Sequence, residues 1–158
     1  MPRMTTVLRM VGVALLAALA LAGCASAKAD PSIAVASAYV PQPTTPGTTV
    51  AYLDIRNNGS ADRLVGVHTS VGGKVQLLAP GTRQGSTLIM HAVPDIPLPA
   101  NSMTLLNPDS YHLLITGAGA MHDGKDIMLR LTFANSEPVT AIAMVTNVES
   151  GGSSYFLN

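Results

Sequence analysis

The sequence predicts an all-β domain built as an antiparallel β-sandwich, and three observations predict it. Short runs of alternating apolar and polar residues recur along the chain, as in 50–57 (VAYLDIRN) and 127–133 (IMLRLTF); alternation is the mark of a half-buried strand. Turn residues separate these runs, among them Asn57-Asn58-Gly59 and Gly72-Gly73, which accept the backbone of tight hairpins. After residue 23, no stretch carries the 3.6-residue apolar period of an amphipathic helix.

Residues 1–23 read as an export signal. Arg3 and Arg9 supply a positive start, and 11–22 is an Ala/Leu-rich apolar run too short to span a bilayer. The run ends in Leu21-Ala22-Gly23-Cys24, which looks like a bacterial lipobox. Cys24 is the only cysteine in the chain, and it stands where lipid would be attached. An acylated Cys24 would hold the domain at the extracytoplasmic face of the cell membrane, since each buried methylene contributes about 0.8 kcal/mol. Residues 24–32 are small and polar, a tether. The sandwich is expected over 33–148, and a Gly/Ser-rich tail over 149–158.

Within the domain, 33–40 reads as a first strand and 41–47, with three prolines, as a loop. In 50–57, Ala51, Leu53 and Ile55 share one face, and Tyr52, Asp54 and Arg56 the other. Strands follow at 62–68 and 74–78, then around Met90, at a run ending in Leu105-Leu106, and at His112. In the last of these, Tyr111, Leu113 and Ile115 oppose His112, Leu114 and Thr116. Ile127, Leu129, Leu131 and Phe133 form a further apolar face, and 139–145 the final strand.

Composition narrows the function. With one cysteine at the export junction, the mature domain has no intrachain disulfide, thiolate zinc site or cysteine nucleophile. Residues 24–158 carry seven Lys/Arg and nine Asp/Glu with no basic cluster, which argues against nucleic acid as a partner. No G-x-S-x-G, H-E-x-x-H, P-loop or G-x-G-x-x-G occurs, so no enzyme motif stands out. The aspartates fall mostly at turns and strand ends, where they bond backbone.

The most informative stretch is 88–114, LIMHAVPDIPLPANSMTLLNPDSYHLL. Twenty-one residues separate Met90 from His112. With AYLDIRNNGSADRLVGV before it and IMLRLTF after it, this stretch resembles the PCu(A)C-type periplasmic copper chaperones over roughly residues 35–145. The resemblance implies a Greek-key β-sandwich of the cupredoxin/immunoglobulin-like kind. It also implies Cu(I) bound by a His, a Met and a His-x-Met, and a role in delivering copper to a membrane cuproenzyme such as cytochrome oxidase. Met90 and His112 match two of those four positions. The first His position falls on Ala79, or on Leu78 if the intervening loop is one residue longer, and the last Met position holds Leu114.

Cu(I) is soft and prefers thioether and imidazole donors. Beyond Met90 and His112, the adjacent His91 is a further candidate ligand, although on a regular strand it points away from Met90 and would need a bulge or strand end. Met121 and His122 follow a Gly/Ala loop that could fold back toward His112. The alternative is that Met90 and Met103 fill core gaps, the histidines are solvated, and the domain is an envelope lipoprotein that binds other proteins without metal.

Overall fold

A computed structural model describes residue 30 and residues 32–147. The proposed signal, most of the tether and the tail lie outside the described residues. Ten strands and no helix make up the described chain: β1 Ile33–Pro41, β2 Thr48–Asn57, β3 Asp62–Thr69, β4 Lys74–Gln84, β5 Thr87–Val93, β6 Ile96–Leu98, β7 Ser102–Leu106, β8 His112–Thr116, β9 Asp126–Phe133 and β10 Val139–Thr146. They run side by side in the order β5-β4-β8-β2-β1-β10-β9-β3-β6, with β7 attached to β2. The fold is the expected all-β sandwich. Every strand pair is antiparallel except β1 with β10.

Strand β2 joins the two halves. Its first residues, Thr48 to Ala51, pair with β8, while Leu53 to Asn57 pair with β7. One strand thus serves both sheets, and its alternating inner residues Ala51, Leu53 and Ile55 are all buried. They pack with Leu64, Leu113, Ile115, Leu129, Leu131 and Val145 in a single core. The core residues run from Ala38 to Val145, so a fragment beginning at residue 25 keeps all of them.

Two buried polar residues pin the connections. The Asn57 side chain donates to the carbonyls of Ser60, Leu98 and Pro99, and its oxygen accepts from the Gly59 amide. The Asp62 carboxylate accepts from the amides of Arg63, Asn135 and Ser136 and from the Asn135 and Ser136 side chains. Burial alone would raise the pKa of Asp62. Those hydrogen bonds outweigh it and hold the carboxyl below its ordinary value. The start of β3 is thereby tied to the β9–β10 turn.

Candidate metal centre

Strand alternation and ladder register decide which candidate residues meet. In β8, Leu113 and Ile115 enter the core, so His112 and Leu114 face outward. The ladder sets Leu78 of β4 beside His112 and Gln76 beside Leu114. On the other side of β4, Pro80 lies beside Met90 of β5. Directly opposed residues share a face. Leu78, Pro80, Met90, His112 and Leu114 therefore occupy one surface, the outer face of the β5-β4-β8 sheet.

The register separates the two residues at the expected first His position. Ala79 is only 7% exposed and belongs to the core side, whereas Leu78 stands on the outer face between β5 and β8. The β4–β5 ladder shifts register between Pro80 and Arg83, and that irregularity accommodates the one-residue-longer loop. The outer face thus brings Leu78, Met90, His112 and Leu114 together, two soft side chains and two aliphatic ones.

Met90 and His112 are not neighbours in the ladder. Strands β5 and β8 flank β4, so they stand roughly 10 Å apart, and the two residues are offset by two positions, about 6.6 Å. An ion shared between them requires both side chains to extend over Leu78.

His112 is the better prepared donor. Although outward-facing, it is only 8% exposed. Its Nδ1 lies 3.3 Å from the Ser110 carbonyl. A carbonyl only accepts, so Nδ1 donates, and the neutral ring keeps a free lone pair on Nε2. The Tyr52 ring packs against it near edge-on, with centroids 5.9 Å apart and planes at 67°. Tyr39 stands behind Tyr52 at 5.2 Å. Burial lowers the His112 pKa, while bonds to the Ser110 and Asn107 backbone pull the other way without cancelling it. The imidazole is thus kept neutral, the form that binds metal. Arg83 of β4 reaches Asp109 at 3.2 Å, linking the far end of the hairpin to the turn before β8.

His91 does not join this face. It pairs with Ala79, the register shift begins only past the adjoining Pro80–Met90 pair, and strand alternation turns its side chain to the opposite side from Met90. The ladder thus does not set His91 beside Met90 on the outer face. Met121 is buried in the core, and His122 lines a cleft with Gln42, Pro43, Pro46 and Gly47 rather than reaching His112. His68 lies on the other sheet, opposite Arg130. Met103 does not fill the core either: it is 53% exposed on β7. Among the described residues, no three His, Cys, Asp or Glu side chains gather into a metal site. The sequence pattern had not singled out Tyr52, whose only signal was its outward place in β2.

The model of the LpqE-like family, a lipoprotein family by its description, matches residues 33–145. The chain belongs to that family. No curated protein matches it. Among solved structures, it is similar to the copper-bound PCuAC domain from PmoF2, with a TM-score of 0.61 and 21% identity over 75% of this chain and 96% of that one. The apo PCuAC domain from PmoF1 gives a TM-score of 0.61 and 18% identity over the same shares. The solution structure of CuI-DR1885 from Deinococcus radiodurans gives 0.57 and 23% over 77% of this chain and 83% of that one. At these identities, what is shared is the fold. The resemblance drawn from the central stretch holds at that level.

Proposed function

We propose that this family member is an extracytoplasmic Cu(I)-binding lipoprotein of the copper-chaperone kind. Met90 and His112 are its ligands, and Cys24 is its lipid anchor. One observation carries the reading: positions far apart in sequence, which in the resembling chaperones hold the ligands, fall together on the outer face of one sheet. The copper-bound and Cu(I)-bound domains with the same fold support it. So does the chemistry of the retained pair, a thioether and an imidazole whose Nδ1 is taken by the Ser110 carbonyl.

Leu78 and Leu114 define how the site works. Without their donors, the ion has two protein ligands and open positions, so it is held less tightly and exposed to an incoming donor. Such a site suits passing copper to a membrane cuproenzyme, and the lipid anchor would keep the domain near that acceptor. The same two leucines also favour a second reading, in which the face has become an apolar surface for protein interaction without metal.

Titration of the 25–158 fragment with Cu(I) against a competing chelator separates the two. Copper binding predicts a measurable affinity that falls at least tenfold, about 1.4 kcal/mol, in both Met90→Leu and His112→Ala. Equal, negligible affinity in all three proteins would leave the interaction reading.

A further inference from the structure

The two ends of the strand order are finished differently. At one end, β6 has three residues, Ile96–Leu98, with Pro97 in the middle. A short strand bearing proline is a poor template for another chain. At the other end, β5 has seven residues, Thr87–Val93 (TLIMHAV), and neither proline, glycine nor a Lys, Arg, Asp or Glu side chain. Among the described residues its only ladder partner is β4. Ile89 on this strand is 41% exposed. Apart from the register irregularity of β4 against it, between Pro80 and Arg83, the strand carries none of the usual protections of an open edge.

We propose that β5 pairs with β5 of a second copy of this chain, antiparallel and centred on Met90. The carbonyl of Ile89 points at β4: a methyl group added to Gly81 would lie 2.8 Å from that oxygen. Backbone direction alternates along an antiparallel strand, so the N–H and C=O groups of Leu88, Met90 and Ala92 face the open edge. These three are spaced symmetrically about Met90. A two-fold axis there pairs Leu88 with the partner's Ala92, Met90 with the partner's Met90, and Ala92 with the partner's Leu88, and satisfies all six outward groups on each copy. Any other self-pairing register leaves some of them unmet. The strand has no Lys, Arg, Asp or Glu to repel its copy, and the contact is isologous, as closed dimers require. Seven residues a side bury well under the roughly 1,000 Å² of a stable interface, so the dimer is weak and concentration-dependent.

Pairing also puts the two Met90 thioethers on one face, with Cα atoms about 5.5 Å apart. Where the copper reading holds, Cu(I) gains a second sulfur and strengthens the dimer. That clause alone rests on the proposed function.

Sedimentation of the metal-free 25–158 fragment with chelator, from about 10 µM to 1 mM, tests the pairing. The expected result is a monomer–dimer equilibrium that moves toward dimer across this range, shifted to monomer throughout by Ile89→Lys with unchanged circular dichroism. The register is read by mixing Thr87→Cys and Val93→Cys fragments under oxidised glutathione. These positions face one another across the axis, and the fragment has no other cysteine, so the mixed disulfide should exceed either homodimer. A monomer up to 1 mM, dimerisation unaffected by Ile89→Lys, or no excess of the mixed disulfide would overturn the proposal. A dimer indifferent to Cu(I) would sustain the pairing while counting against copper. A monomer with Met90-dependent Cu(I) affinity would do the reverse.

Discussion

At the scale of single residues, His112 is where fold and chemistry meet. Its ring is held by the Ser110 carbonyl on one nitrogen and by Tyr52 on its flank, and burial disfavours its charged form. The sign of the pH effect follows. In the unfolded chain a histidine titrates near 6.5, so as pH falls through that value the unfolded state takes up a proton before the folded state does. The contribution of His112 to stability is present above about pH 6.5 and is lost as pH falls toward the lower folded value. A side-chain NMR titration should find His112 titrating below the ordinary histidine value and as the Nδ1–H tautomer. An Nε2–H tautomer would remove the proposed ligand atom. The outward place of His112 could be read from the alternation of DSYHLLITG, but not its burial. That comes from Tyr52, 60 residues earlier in the chain, and from a pairing of β2 with β8 that no local pattern encodes.

At the scale of elements, the hairpins carry the argument, because they set which residues lie abreast. The β3–β4 turn is the tightest constraint. Gly73 has φ of +81°, and an added β-carbon would lie 2.6 Å from the Thr116 carbonyl oxygen and 2.8 Å from the Ala118 amide nitrogen. Gly72 has a similar φ of +73° but open space around it. Gly73→Ala should therefore cost about 3 kcal/mol, from strain plus displacement of backbone, and Gly72→Ala about 1 kcal/mol, from the left-handed conformation alone. Urea denaturation of both variants measures the difference, and equal losses would mean that the turn yields without disturbing β8. The Gly-Gly pair announced a turn in the sequence. Strand β4, however, continues through Pro80 and Gly81 to Gln84, residues that read as a loop. This extension contains the register shift between Pro80 and Arg83, just beyond Leu78 on the outer face and Ala79 on the core side. Proline is tolerated there because β8 pairs with β4 only as far as Leu78, so no ladder bond on that side needs its missing N–H.

At the scale of the molecule, the sandwich makes one surface from residues scattered over the middle of the chain. The inner faces of β2 and β9 were legible because strict alternation marks them: Ala51, Leu53, Ile55, Ile127, Leu129, Leu131 and Phe133 are all buried as expected. The strand order was not legible. The parallel β1–β10 pair and the passage of β2 between sheets depend on long-range partners. Exposed Met103, Met128 and Ile142 likewise follow from which face the second sheet leaves outside. The candidate site was half legible, since spacing singled out Met90 and His112, whereas only the ladder puts Leu78 on their face and His91 on the other. The central claim is that Leu78, Met90, His112 and Leu114 form one coordinating surface, and rebuilding it tests that most directly. In the 25–158 fragment, Leu78→His with Leu114→Met should raise Cu(I) affinity on the order of a hundredfold, about 2.7 kcal/mol. Ala79→His with Leu114→Met, which turns the new imidazole toward the core, should destabilise the fold and gain far less. Equal gains from the two pairs of substitutions, or none from the first, would contradict the account.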